Sequence, residues 1–270
     1  MRGLIAALVC VALTAGCSGK SEDAPTAAAT SEAAAPAAPK PSAAAELAEA
    51  RKESVSNDLY EFEYAYPAQA AAIPDLRKWL DADLEKQRRE LIENAQEQLA
   101  TSKKDGFPFN PFGSWTGWKV VTDLPGFLSL SAQVSSYEGG AHPNHGFSEM
   151  IWDKQTNARR ESEDFFTSEQ ALSKAIRAEF CRQLDKQRVK KRQGENLGPD
   201  SPFTECIDPV ESTVILGSSN RKAFDKIGIL VGPYEAGPYV EGNYEVTLPV
   251  TEVVLAAVKP EYRGVFVKGR

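Results

Sequence analysis

The 270-residue sequence carries a net charge of −7, which argues against nucleic acid or anionic lipid as the main partner. No segment stays apolar for the roughly 20 residues that a bilayer-spanning helix needs. The length is sufficient for one or two cored domains.

Chain order begins with a short n-region, Met1, Arg2 and Gly3, followed by an apolar run over 4–15 and the small residues Ala15 and Gly16 before Cys17. This reads as a signal peptide over 1–17. Leu13, Thr14, Ala15, Gly16 and Cys17 resemble the lipobox of bacterial lipoproteins, with Thr14 departing from the usual Leu. The resemblance implies lipidation at Cys17, membrane attachment through that lipid and a location in the cell envelope, outside the cytoplasm. Ser18 after the cysteine points to an outer membrane, facing the periplasm, where the organism has one. The alternative is an ordinary secretory signal cleaved near Ala15 or Gly16. Residues 18–54 are rich in Ala, Pro, Ser, Thr and Glu, and no Phe, Trp or Tyr precedes Tyr60. Such a segment buries too little to offset its conformational entropy and is expected to be a disordered tether, with a short marginal helix over 43–52.

The alternation over 59–66 predicts a strand with Tyr60, Phe62, Tyr64 and Tyr66 on one face. Pro74 and Asp75 open a long helix whose stripe is Leu76, Trp79, Leu80, Leu84, Leu91, Ala95 and Leu99. Residues 106–117, rich in Gly, Pro and aromatics, are expected to form an irregular loop before strands over 118–122, 127–137 and 147–153. A second helix is predicted over 168–190, with Leu172, Ile176, Phe180 and Leu184 spaced by four and Thr167 or Ser168 as N-cap. Its end, RVKKR over 188–192, reads as a solvated helix terminus with cations near the C-terminal dipole. A polar loop over 193–202 leads to strands over 212–216, 223–231 and 244–249, and a short helix over 251–258 follows. The fold class is α+β, with antiparallel sheets packed against two long amphipathic helices.

Cys10 leaves with the signal and Cys17 carries lipid, so Cys181 and Cys206 remain. In an oxidising compartment they are most simply a disulfide, worth about 3–4 kcal/mol by loop entropy; the rival reading is a nucleophilic thiol.

Both histidines of the chain fall in one loop, Tyr137-Glu138-Gly139-Gly140-Ala141-His142-Pro143-Asn144-His145-Gly146. Metal binding there would use His142 and His145 with Glu138 or Glu149, but the spacing is not that of the helical H-E-x-x-H site. A structural turn and a ligand or partner contact both fit the loop. There is no Gly-x-Ser-x-Gly, Walker A or Gly-x-Gly-x-x-Gly sequence, and no catalytic residue, cofactor or metal is assigned. Glu161, Glu163 and Asp164 read as the approach to a helix. The loop over 232–239 joins rigid Pro turns to Tyr234 and Tyr239, rings suited to stacking on sugars, anchoring an interface or capping a core.

The Tyr-Glu-Gly-Gly-Ala-His segment, Trp152 to Asp153, the stretch over 161–166 and the late Gly-Pro-Tyr-Glu-Ala-Gly-Pro-Tyr resemble the exported module shared by the peptidoglycan deacetylase PdaC and the anti-sigma factor RsiV. The resemblance implies a PdaC-like domain over 55–158 and an RsiV C-terminal-like domain over 159–270, the DUF4163 and DUF3298 types. Nothing in these residues matches the separate deacetylase catalytic domain or the sigma-binding region, so neither activity is expected. In RsiV the module is a receptor for lysozyme. The implied role is therefore a non-catalytic, lipid-anchored recognition module for a lysozyme-like protein or peptidoglycan, with Gly139, Gly140, His142, His145, Tyr234 and Tyr239 as its binding residues. An envelope hydrolase or metal protein using His142 and His145 is the alternative, and a purely structural envelope protein the third reading.

Overall fold

Alternating aromatic residues place the first strands. The computed structural model describes residues 48–194, 198 and 203–270; the expected signal peptide, Cys17, nearly all of the expected tether and most of the 193–202 loop lie outside them. Strand β1 (Arg51–Ser56) pairs antiparallel with β2 (Tyr60–Tyr66) around a turn in which the Asn57 side chain accepts from the backbone of Leu59 and Tyr60. The sheet therefore starts at Arg51, inside the stretch read as tether and marginal helix. Its charged alternation, with Arg51 bonded to Asp81 at 2.5 Å, fits an edge strand.

Helix α1 (Ala68–Ala71) leads into α2 (Pro74–Asp105), which begins with Pro in its first turn and ends at Gly106 in the left-handed conformation (φ 73°). Leu76, Leu80, Leu84, Leu91 and Ala95 of α2 are buried against Phe62, Tyr64 and Tyr66. The tyrosine hydroxyls donate to Asp83 and Asp81 of the helix, and Trp118 Nε1 donates to Tyr64 at 3.0 Å.

Strand β3 (Phe112–Asp123) follows. Half of the segment expected to be an irregular loop is strand, because Phe112, Thr116 and Trp118 are buried on alternate positions toward α2, and that burial outweighs the local turn preference of Gly113 and Gly117. Then come β4 (Phe127–Tyr137), β5 (Asn144–Asp153) and β6 (Ala158–Arg160), in a six-stranded sheet ordered β1-β2-β3-β4-β5-β6. The sheet is mixed, not antiparallel throughout: β2 and β3 run parallel, since α2 carries the chain back across its face.

A 3-10 turn over Ser162–Phe165 precedes α3 (Glu169–Lys191), whose N-cap is Ser168, its hydroxyl accepting from Ala171 N. The disulfide between Cys181 and Cys206 ties α3 to the segment before the second sheet. That sheet, β7 (Thr213–Gly217), β8 (Lys226–Val231) and β9 (Tyr244–Pro249), is antiparallel, and α4 (Glu252–Ala257) follows it. The architecture is α+β. Leu172, Ile176, Phe180 and Leu184 of α3 are buried with the second sheet and with Phe165, Phe224 and Phe266. Leu124, Phe127 and Ile151 of the first half belong to the same cluster, and β6 spans residue 158, so the halves share a seam of core.

Candidate functional site

The basic end of α3 turns inward at Arg188 and Arg192, while Val189, Lys190 and Lys191 stay exposed. It was expected to be solvated, but Arg188 is 3% exposed and Arg192 and Lys191 bond to neighbouring chain. The last turn of α3 lies against the loop after β8, whose carbonyl groups need donors. Arg188 donates to Ala236 O and Glu205 O at 3.0 Å each. Lys191 donates to the carbonyls of Glu241 and Asn243 and lies 4.1 Å over the Tyr244 ring. Arg192 pairs with Glu241 at 2.8 Å, and the Tyr244 hydroxyl donates to the same carboxylate. Burial pushes the Glu241 carboxyl up, but the bonds from Arg192 and Tyr244 outweigh it and hold the group below the usual carboxylate range. A Cβ on Gly237 would come within 2.1 Å of Glu241 Oε2, so the ion pair depends on glycine there.

This fixed loop presents Tyr234 and Tyr239. Tyr239 stacks on His142 with centroids 3.9 Å apart and meets His145 edge-on at 5.6 Å, while its hydroxyl donates to Pro143 O at 2.9 Å. Tyr234, 53% exposed, lies 5.6 Å from the Tyr239 ring, with its hydroxyl 3.5 Å from His142 Nε2. Its φ of 68° is a left-handed conformation that a bulky residue adopts only at a cost of about 1–3 kcal/mol. Two loops some 90 residues apart in sequence thus converge on one surface. Of the six residues singled out from sequence, His142, His145, Tyr234 and Tyr239 come together. Gly139 supplies a positive φ of 83° in the same loop; Gly140, with no such φ and open space around it, lines the surface beside His142.

Three contiguous clefts border this cluster. The first, about 460 Å³, lies where β3 begins and β4 ends, between Glu61, Asn110, Trp115, Tyr137 and His142. A middle one of about 430 Å³ shares His142 with it and adds Glu138, Asn144 and Tyr234. The third, about 500 Å³, shares Asn144 and Tyr234 and adds His145 and Phe147. Trp115, Tyr137 and Asn144 were not picked out from sequence. The available signal was the spacing of Gly113 and Trp115 in Gly-Ser-Trp-Thr-Gly. A Cβ on Gly113 would lie 1.9 Å from the Trp115 ring, so the indole lies back over the glycine.

Glu149, a possible metal ligand from sequence, lies elsewhere. It accepts from Ser162 N and Oγ at 3.0 and 2.9 Å, and desolvation, opposed by those bonds and aided by Glu163 and Glu161, pushes its carboxyl up to about 8. Four residue steps along β5, about 13 Å, separate it from His145. Among the described residues no group of three or more His, Cys, Asp or Glu side chains is placed to hold a metal ion.

Residues 53–145 match the family model described as Deacetylase PdaC, a segment running from β1 to His145. This segment is similar to the PdaC family. Across the larger part of the chain, the fold is similar to that of a DUF3298-family protein from Bacteroides fragilis, with 15% identity, a TM-score of 0.50, and 80% of this chain and 96% of that one covered. A DUF3298-family protein from Pseudomonas aeruginosa aligns over 82% of this chain and 97% of its own, at 16% identity and a TM-score of 0.44. No curated protein matches the sequence.

Proposed function

We propose that this chain is a non-catalytic recognition module of the cell envelope, anchored through lipid on Cys17 and a tether that ends before β1 at Arg51, that binds a lysozyme-like protein or peptidoglycan. The observation that carries the reading is the exposed meeting of His142 and Tyr239. Rings presented on a fixed wall lose little conformational freedom on binding, which is what an interface anchor needs. The amphipathic stripes of α2 and α3 serve the same end by holding that wall on two cores. The similarity of residues 53–145 to the PdaC family supports an extracytoplasmic setting.

Calorimetric titration with a lysozyme and with purified peptidoglycan tests the ligand. Binding to at least one is expected, weakened at least tenfold in His142→Ala and Tyr239→Ala; silence toward both discards the named ligands. The anchor is tested separately: Cys17→Ala is expected to move the protein from the membrane fraction to the soluble one.

A further inference from the structure

We infer that the three contiguous clefts beside His142 form one groove for a linear glycan, each cleft taking a pyranose unit against an aromatic ring. This rests on the recognition reading and narrows its ligand to a saccharide. A pyranose presents C–H groups on its faces and hydroxyl or amide groups around its rim, so it is held by a ring face flanked by short polar side chains. Each cleft has that composition. The first sets Trp115 and Tyr137 beside Glu61 and Asn110. In the middle one, His142 and Tyr234 stand beside Glu138 and Asn144. The third combines Phe147 and Tyr234 with Ser135 and Asn144.

The clefts share walls, His142 between the first two and Tyr234 with Asn144 between the last two, which suits consecutive units of a polymer. Their platforms are fixed. Trp115 lies back over Gly113, and Tyr234 is kept in a left-handed conformation that Gly or Asn would hold more cheaply. Charge selects further. Among the described residues no Lys or Arg lines any of the three clefts, while Glu61 and Glu138 do. Phosphate-rich or uronate polymers are disfavoured, and neutral or amine-bearing glycans are accepted.

The test is calorimetric titration of the full chain with β-1,4-linked N-acetylglucosamine oligomers of two to six units, with polygalacturonate and a lysozyme as comparisons. Affinity is expected to rise about tenfold or more from dimer to trimer, to level beyond four units, and to be absent for polygalacturonate. Trp115→Ala and Tyr234→Asn should each weaken the tetramer about tenfold. Asn tolerates the left-handed backbone, so Tyr234→Asn should keep or raise the melting temperature, which separates lost binding from lost fold. Silence toward the oligomers, equal affinity for polygalacturonate, or unchanged affinity in Tyr234→Asn overturns the groove. A lysozyme that binds while the oligomers do not overturns the groove and leaves the recognition reading standing; silence toward lysozyme, oligomers and peptidoglycan alike overturns both.

Discussion

The two loops that meet at His142 are built in opposite ways. The 232–243 loop is fixed from behind by Arg188, Lys191 and Arg192, with an ion pair buried under Gly237. The 138–143 loop is exposed throughout and meets that wall through His142 and Pro143. One side of the surface thus takes its shape from buried charge, and the other takes its place by leaning on the first. Cationic residues at a helix end here act as internal scaffolding for a binding face.

Removing the disulfide is the harshest test of that contrast. Cys181→Ser with Cys206→Ser should lower stability by about 3–4 kcal/mol, read as a fall in melting temperature. Glu205, beside Cys206, supplies a carbonyl to Arg188. Amide exchange over 232–243 should therefore rise as well. Arg188→Met should cost about 2 kcal/mol in urea unfolding, because it strands the buried carbonyl of Ala236 and removes a donor from the part-buried carbonyl of Glu205. Arg182→Ala, at an exposed pair with Glu179 on the same helix, should change little.

Glu149 sharpens the comparison at the seam between the halves. Its folded pKa of about 8 lies above the ordinary value, so between about pH 4.5 and 8 the folded state holds a proton that the unfolded chain has released. Stability should then fall as pH rises through that window. Glu149→Gln, which copies the protonated form, should flatten the slope and stabilise the protein at pH 8 by about 1–2 kcal/mol, a figure kept below the full shift because the residue is only partly buried. Thermal melts from pH 5 to 8 decide it. The smallest effect belongs to the leaning loop. Gly139→Ala, at a positive φ, should cost about 1 kcal/mol, whereas Gly140→Ala, with open space around it, should be near neutral.

The strongly periodic parts were legible from sequence. Tyr60 to Tyr66, the leucines of α2 and the four-residue spacing in α3 all lie where their patterns place them, since period and burial coincide. The pairing of Cys181 with Cys206 was legible by elimination. What failed did so where tertiary contacts overrule local signals. Gly113 and Gly117 read as turn residues yet sit in β3, because the buried residues between and beside them face α2. Arg188 read as solvated because nothing nearby in sequence foretells the carbonyl of Ala236, 48 residues away. At the site, His142, His145 and the two tyrosines stood out by type, but their meeting depends on how the second sheet docks, which no local pattern encodes. Trp115 was missed for the same reason as β3.

The parallel contact between β2 and β3 also has a kinetic side. The β1–β2, β3–β4 and β4–β5 pairs each close across a short connection, but β2 reaches β3 only across the 32 residues of α2. Loop-closure entropy is therefore spent before that pairing returns anything, and contacts of this range are slow to form. Until the helix docks, the hairpin of β1 and β2 leaves Phe62, Tyr64 and Tyr66 without their cover. Docking of α2, whose aspartates accept from Tyr64 and Tyr66, is therefore expected to come before closure of the sheet that carries Trp115, an order that pulsed amide exchange during refolding would read.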